Sequence, residues 1–251
     1  MKEREKIATP VIEIKDLYKS FGNNHVLRGF NFVLNDGENV AVLGKSGSGK
    51  SVLIKCIIGL IRIDQGQLNV LGQSVPELQQ KELDIIRRDV GFLFQGSALY
   101  DSMSVKENLE FPLRRHHEKM NGGTSMNKRV EEALESVGLL HTLQLMPSEL
   151  SGGMKKRVAL ARTLILQPKI ILYDEPTGGL DPITGREISY LINQVQEQYK
   201  AAAIIITHDL VCAKITTNRI VILSEGKNYI EGNYDELDQS KDPVVQEFFK
   251  K

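Results

Sequence analysis

The sequence contains 251 residues, 41% of them hydrophobic, which is enough to bury the core of one α/β domain. Lys plus Arg and Asp plus Glu both number 32, so the charge balance gives no indication of nucleic-acid binding or of an acidic tail. The first ten residues are charged, and no apolar stretch approaches the ~20 residues of a membrane-spanning helix, so we predict a soluble chain without a secretory signal.

The first sixty residues change from a strand pattern to a helix pattern. Apolar and polar residues alternate over residues 11–14, a second strand pattern covers residues 30–34, and Asn-Asp-Gly at 35–37 is a turn signal. An apolar run at residues 39–43 then enters a glycine-rich turn, and residues 50–61 continue as a helix. The order strand, glycine-rich turn and helix predicts a phosphate-binding loop.

Four further apolar runs predict buried strands of a mainly parallel sheet, at residues 90–94, 169–173, 203–207 and 219–223. After Pro182, an amphipathic helix carries one apolar face, formed by Ile188, Leu191, Ile192 and Val195. Residues 96–165 show no strand pattern, and Val130, Leu134 and Val137 repeat there with helical spacing. We therefore predict a helical lobe inserted into the sheet domain.

The glycine-rich turn matches the phosphate-loop pattern G-x-x-x-x-G-K-[ST]. Its residues are Gly44, Lys45, Ser46, Gly47, Ser48, Gly49, Lys50 and Ser51. The glycines let backbone N–H groups wrap a phosphate at the start of a helix, where the dipole favours anions. We expect Lys50 to neutralise the β- and γ-phosphates of a nucleotide and Ser51 to ligate Mg²⁺. The alternative is a glycine-rich turn without a ligand.

The apolar run at residues 169–173 ends in two acids, Asp174 and Glu175. In α/β proteins, ligands bind at this edge of the sheet. We expect Asp174 to hold the Mg²⁺ shell and Glu175 to act as the general base or to orient the attacking water, a role that contributes about 10²–10⁴ in rate. An acidic pair that ends a strand is also typical of a helix cap, and the phosphate loop favours the catalytic interpretation.

The sequence LSGGM at residues 150–154, followed by KKRVALAR at residues 155–162, resembles the signature of ATP-binding cassette (ABC) proteins. A phosphate loop alone leaves kinases and GTPases open, but the signature ahead of the acidic strand separates the cassette family from them. The resemblance covers essentially the whole chain and implies an α/β P-loop NTPase with an ABC-type RecA-like core, an N-terminal antiparallel β-subdomain and an inserted α-helical subdomain. The implied single ATPase domain, 1–251, divides into core and β-subdomain at 10–95 and 166–235, helical subdomain at 96–165 and C-terminal helical tail at 236–251.

The resemblance also implies roles for three residues that single patterns leave ambiguous. Phe21 matches the aromatic residue that stacks on adenine, for which a ring face is sufficient. Gln95 matches the glutamine that contacts Mg²⁺ and the attacking water, and His208 matches the histidine that reaches the γ-phosphate. Taken alone, the three could be a core aromatic residue, an exposed amide and a capped histidine.

The signature implies a second copy of the chain. Ser151, Gly152 and Gly153 open a helix and so form an anion site that cannot reach the phosphate loop of its own chain. In the family, two subunits pair head to tail, and each ATP lies between one phosphate loop and the other signature. Asp181 resembles the loop through which the two sites communicate, although residues 178–179 are Gly-Gly where Ser-Ala is commoner.

A narrower resemblance is to the ATPases of Mla-type, Mce-linked lipid transporters. It is carried by residues 94–113, by Met154 in place of glutamine, and by residues 242–249. It implies phospholipid transport between the membranes of a diderm bacterium, a multi-pass permease, an Mce-domain protein, a small regulatory subunit, and a peripheral position on the cytoplasmic face of the inner membrane. Lipopolysaccharide export and amino-acid uptake are the alternatives within the family.

Two segments of the helical lobe are candidates for contact with partners. Residues 97–105, which follow Gln95, are expected to dock on the permease, and the polar residues 114–129 form either a solvated loop or a basic contact to a membrane-side partner.

A soluble cassette acting on ribosomes or DNA is disfavoured because the chain has neither a second cassette nor a coiled-coil insertion. A regulatory subunit without catalysis is disfavoured because competent residue types occupy every catalytic position.

Overall fold

The computed structural model describes residues 10–116 and 125–250. The strands in these ranges are β1 (Pro10–Phe21), β2 (Asn24–Asn35), β3 (Asn39–Leu43), β4 (Gln65–Val70), β5 (Gln73–Ser74), β6 (Val90–Leu93), β7 (Ile170–Asp174), β8 (Ala202–Ile206), β9 (Arg219–Ser224) and β10 (Lys227–Gly232). The helices are α1 (Lys50–Ile57), α2 (Gln80–Asp89), α3 (Val105–Arg115), α4 (Met126–Glu135), α5 (Gly152–Leu164), α6 (Pro182–Tyr199), α7 (Leu210–Thr216), α8 (Tyr234–Asp238) and α9 (Pro243–Phe249). None of these helices combines the length and the hydrophobicity needed to cross a bilayer.

The strands form two sheets. One is antiparallel, with the order β2-β1-β4-β5, and the other has the order β10-β9-β3-β8-β7-β6. The second sheet is parallel except that β10 runs antiparallel to β9. Every residue of β3, β7 and β8 is buried, which is why these strands are continuous apolar runs in the sequence. The predicted fold class is confirmed.

The six-stranded sheet separates two layers of the core. Successive residues of a strand point to opposite faces of a sheet. In β8, Ala202, Ile204 and Ile206 pack in a cluster with α1 and the antiparallel sheet, whereas Ala203 and Ile205 pack with α3 to α6. A third cluster joins β3 and β9 to α7, α8 and α9. The C-terminal helices are therefore packed against β9 and against β3, the strand that precedes the glycine-rich turn.

Two local predictions differ from the structure. The helix after the phosphate loop ends at Ile57 rather than at residue 61. It ends there because Gly59 takes a φ of 65° and the N–H groups of Leu60 and Ile61 both donate to the carbonyl oxygen of Lys55. The strands β1 and β2 run over 12 residues each, well beyond their predicted alternating segments. Of the polar segment 114–129, the middle part, residues 117–124, lies outside the described residues.

Candidate functional site

A cleft of ≈ 840 Å³ opens at the carboxyl ends of β3, β6, β7 and β8. Twelve of the residues predicted for the site line it, which brings together side chains that are up to 187 residues apart. They are Phe21, Gly44, Lys45, Ser46, Gly47, Gly49, Lys50, Ser51, Gln95, Asp174, Glu175 and His208. The cleft is therefore the candidate site.

The phosphate loop connects β3 to α1 with backbone that requires glycine. Gly47 and Gly49 have φ values of 79° and 105°, in the region that L side chains rarely adopt. A Cβ on Gly44 would lie 2.4 Å from Ser48 Oγ and 2.9 Å from the carbonyl oxygen of Leu223. In the described chain, α1 begins at Gly49 without a side-chain cap. The N-terminus of α1 is thus left for an anion from outside the chain.

Ser48 is the one residue of the predicted phosphate loop that does not line the cleft. Its hydroxyl is buried and, within the described ranges, has no hydrogen-bond partner. Its N–H donates to the carbonyl of Lys45 at 3.1 Å, so Ser48 shapes the turn of the loop through its backbone.

The side chain of Lys50 is bound to the main chain of the phosphate loop. Its Nζ donates to the carbonyl oxygens of Gly44 at 2.7 Å and Lys45 at 3.0 Å. Burial lowers the pKa of the Lys50 ammonium, and the charges of Glu175 and Asp174 oppose this shift. The Lys50 ammonium therefore lies at the phosphate loop, where an anionic ligand could replace its two carbonyl partners.

Asp174 ends β7 and is only 9% exposed. Burial raises the pKa of its carboxyl, while a hydrogen bond from Ser51 Oγ at 3.4 Å lowers it. The carboxylate, the Ser51 hydroxyl and the Gln95 side chain line the same cleft. Such oxygen donors fit a hard divalent cation such as Mg²⁺.

Glu175 and His208 are in direct contact. Glu175 Oε2 lies 2.9 Å from His208 Nδ1 and accepts from the His208 N–H at 3.4 Å. Glu175 has a φ of 49°, which is uncommon for a residue other than glycine, and its N–H donates to the carbonyl of Ile206 at 2.9 Å. The backbone turn after β7 and its bond to β8 therefore aim the Glu175 carboxylate into the cleft beside His208.

Phe21 ends β1 at the rim of the cleft and is 49% exposed. Lys19 Nζ lies 5.3 Å from the centroid of its ring. The ring is accessible for stacking, as expected of an aromatic residue that holds a planar base rather than one that fills the core.

The signature residues lie elsewhere. Ser151 caps α5, its Oγ accepting from the N–H of Met154 at 3.2 Å. Ser151 and Gly152 are exposed, and neither they nor Gly153 line the cleft. A Cβ on Gly153 would lie 2.7 Å from Cγ2 of Thr184, so α5 begins against the start of α6. The structure does not bring the signature to the phosphate loop of the same chain.

Asp181 begins α6 and lines a second cavity, of ≈ 460 Å³, next to the cleft. Its carboxylate accepts from the N–H groups of Ile183 and Thr184 at 3.0 and 3.1 Å and from the Thr184 hydroxyl at 2.6 Å. These hydrogen bonds lower the pKa of Asp181. His208 lines both cavities, so the loop that precedes α6 adjoins the side of the cleft where Glu175 and His208 lie.

Lys156, Glu247 and Phe248 are near the cleft and were not among the residues predicted for the site. Lys156 donates from Nζ to the carbonyls of Gln95 and Glu175. Glu247 and Phe248 of α9 line the cleft, and Glu247 Oε2 lies 2.8 Å from Lys45 Nζ. The basic pair at residues 155–156 was visible in the signature helix, but no pattern marked which lysine is buried, and no motif linked α9 to the phosphate loop.

This chain is similar to known proteins over nearly its whole length. The family model described as ABC transporter matches residues 27–178. Curated relatives include protein trigalactosyldiacylglycerol 3, chloroplastic, of Arabidopsis thaliana, which is 39% identical over 98% of this chain and 76% of its own. The methionine import ATP-binding protein MetN of Campylobacter jejuni is 37% identical over 95% and 75%.

The intermembrane phospholipid transport system ATP-binding protein MlaF of Haemophilus influenzae is 36% identical over 96% of this chain and 90% of its own. Among solved structures, the ATP-binding cassette MJ0796, described as a dimeric post-hydrolysis state bound to ADP and Pi, superposes with a TM-score of 0.79. It is 33% identical and covers 88% of this chain and 98% of its own. These relatives share the cassette and differ in the substrates that their names give.

Proposed function

Because this chain belongs to the ABC transporter family and is an ATPase of that family, we propose that two copies close head to tail around two Mg-ATP and drive a membrane permease. The separation of the site into two halves carries the proposal. The phosphate loop, Glu175 and His208 meet in one cleft, while residues 151–153 begin α5 outside it. A second copy supplies the missing half, and the dimeric state described for MJ0796 supports this.

In the proposed site, Phe21 stacks on adenine and the glycine-rich loop wraps the phosphates. Lys50 exchanges its two carbonyl partners for the β- and γ-phosphate oxygens. Ser51, Asp174 and Gln95 would hold Mg²⁺, which when bound neutralises charge on the phosphates.

Glu175 orients the attacking water or takes its proton. His208, which contacts the Glu175 carboxylate, reaches the γ-phosphate when ATP is bound. Ser151 and the N–H groups at the start of α5 bind the γ-phosphate that lies on the partner copy's phosphate loop. Asp181 carries the contact between the two sites.

The permease is proposed to dock on residues 97–105. Tyr100 is 44% exposed, and its ring lies 5.0 Å from that of Phe111, which is also exposed. Buried Asn108 holds the segment in place, accepting from the Tyr100 N–H and donating to the carbonyl oxygens of Tyr100 and Met103. An exposed aromatic pair, with one ring on a fixed loop and the other on α3, suits a protein interface.

Phospholipid is the proposed substrate class, with an Mce-domain protein and a small regulatory subunit as further partners at the cytoplasmic face of the inner membrane. Residues 94–113, Met154 and residues 242–249 support this assignment, as does similarity to the MlaF relative over nearly all of both chains. Amino-acid uptake is the second candidate, since the methionine import relatives are as similar in sequence.

Purification of the tagged chain from its native host in mild detergent, followed by mass spectrometry of proteins and lipids, tests both candidates. A permease with an Mce-domain protein and phospholipid is the expected result. A permease with a substrate-binding protein for amino acids would replace the lipid assignment, and absence of any permease would overturn the transport role. A Tyr100→Asp chain is the matched control, which should lose the permease and keep its ATPase activity.

A further inference from the structure

Lys156 connects the signature helix to the candidate catalytic centre. It lies on α5, five residues after Ser151, and is only 5% exposed. Its Nζ donates to the main-chain oxygen of Gln95 and, at 3.4 Å, to that of Glu175. These oxygens belong to the segments that follow β6 and β7, so one ammonium of the helical lobe binds both at one point.

The ammonium of Lys156 is held by two main-chain carbonyl oxygens. Within the described ranges, no carboxylate forms an ion pair with its Nζ. Burial lowers the pKa of this ammonium, and the charges of Asp174 and Glu175 partly oppose that shift. Burying a cation without a paired anion costs free energy of folding. A lysine at this position is therefore expected to contribute something that offsets the cost. Its contacts identify this contribution as holding the Gln95 and Glu175 backbones together beside the two acids.

A second basic residue of α5 binds the same segment. Arg162 donates to the carbonyl oxygen of Ser97 at 3.1 Å and to Asn108 Oδ1 at 3.2 Å, and its guanidinium lies 5.7 Å from the centroid of the Tyr100 ring. The segment after Gln95 is therefore attached to α5 at two points. A displacement of α5 must move this segment or break buried hydrogen bonds.

We propose that Lys156 is a positioning residue that relays the docking of the partner copy's nucleotide on α5 to Gln95 and Glu175 of its own cleft. This inference rests on the composite dimer of the proposed function. The distance along the helix is short, about 7.5 Å from Ser151 to Lys156 at 1.5 Å per residue, and a helix transmits such a shift as a rigid element. The route differs from the one through Asp181, because it reaches the catalytic segments through α5 itself.

The first test compares ATP hydrolysis and nucleotide binding in three variants. Lys156→Met keeps an unbranched side chain and removes the donor, Lys156→Gln keeps one donor, and Lys155→Met removes the neighbouring charge on the same helix. We expect Lys156→Met to lower kcat at least tenfold with KM and the Kd of a fluorescent ATP analogue within twofold of the original values. Lys156→Gln should recover part of kcat, and Lys155→Met should retain it. A Lys156→Met kcat within twofold of the original overturns the inference. If Lys156→Met does not fold, the same criterion applies to Lys156→Gln.

The second test separates docking from hydrolysis. In a Glu175→Gln background, light scattering with and without ATP reports the dimer, and adding Lys156→Met should leave ATP-dependent dimerisation intact. Loss of the dimer in the double variant would make Lys156 a structural support of the signature and overturn the relay. Failure of the Glu175→Gln chain itself to dimerise would overturn the proposed function, whereas dimerisation with an unchanged Lys156→Met kcat overturns only the relay.

Discussion

Two helices of this protein begin at glycine-rich motifs, and their surroundings differ. The helix α1 begins inside the cleft at Gly49, whose φ of 105° lets the loop turn tightly, and no side chain caps it in the described structure. The helix α5 begins at an exposed surface, where the Ser151 hydroxyl caps the N–H of Met154. Both N-termini favour anions. Only α1 carries a lysine, Lys50, at its first position and has two acids and a histidine from neighbouring strand ends beside it.

The comparison separates two tasks. The parallel sheet collects reactive side chains, because the carboxyl ends of its strands share one edge. In the proposed dimer, the helical lobe presents a second anion site without reactive groups, and this site functions when another copy brings a phosphate to it. Variants at the two helices should therefore affect hydrolysis in different ways.

The largest effect is expected from Ser151→Arg, which places a long side chain over the start of α5. Turnover should fall more than 100-fold because the partner copy can no longer close, whereas the Kd of the monomer for ATP should stay within about twofold. Steady-state ATPase assays and equilibrium binding measure the two quantities. Substantial turnover in this variant would mean that α5 does not belong to the site of hydrolysis. The cleft at the start of α1 would then hydrolyse ATP without it.

Glu175→Gln should lower kcat by more than tenfold and retain ATP binding, because it removes the base and keeps the shape of the side chain. The measurement is single-turnover hydrolysis together with ATP titration. Glu197→Gln, on an exposed part of α6, is a control that should hydrolyse normally. Equal turnover in Glu175→Gln and the original chain would assign the chemistry of the cleft to another group.

Asp174→Asn should increase the stability of the nucleotide-free protein while removing Mg²⁺-dependent activity. The folded-state pKa of Asp174 is raised above its ordinary 3.8, so the folded chain binds the proton more tightly, and the ionised carboxylate costs stability above that pH. The cost disappears as the pH falls below 3.8. A Tm above that of the original chain is expected at pH 8.

Thermal unfolding at pH 8 and at progressively lower pH measures this gain, with the exposed Asp101→Asn as control. The gain should shrink as the pH falls. A lower Tm for Asp174→Asn at pH 8 would mean that the hydrogen bond with Ser51 outweighs the burial of the charge.

The smallest effect is expected from Glu247→Gln, beside the loop that precedes α1. Glu247 pairs with Lys45 at 2.8 Å, but both side chains are more than half exposed, and such pairs contribute less than about 1 kcal/mol. Removing this acid from the cleft should tighten ATP binding about twofold at low salt, and the gain should fade at high salt. Titrations at two ionic strengths test it against Glu131→Gln on α4, and weaker binding would show that Glu247 assists the ligand.

The residues around the start of α1 could be predicted because they form contiguous patterns in the sequence. The residues from Gly44 to Ser51 are contiguous, and Asp174 directly follows an apolar run that had to be a buried strand. The end of α1 at Ile57 was missed because the following residues are equally apolar, and only the left-handed turn at Gly59 stops the helix. The parallel sheet could be predicted because strands that are buried on both faces are continuous apolar runs in the sequence.

The amino-acid sequence by itself thus determined the α/β fold and the residue types available at the phosphate loop, the acidic strand end and the signature, since each is a contiguous pattern with a chemical requirement. The tertiary structure decided which of them share a cleft, that the signature lies outside it, and that Lys156 rather than Lys155 is buried. It also decided the contact of Glu247 with Lys45, 202 residues away. Burial and long-range contact depend on how separate elements pack, and no local pattern records that.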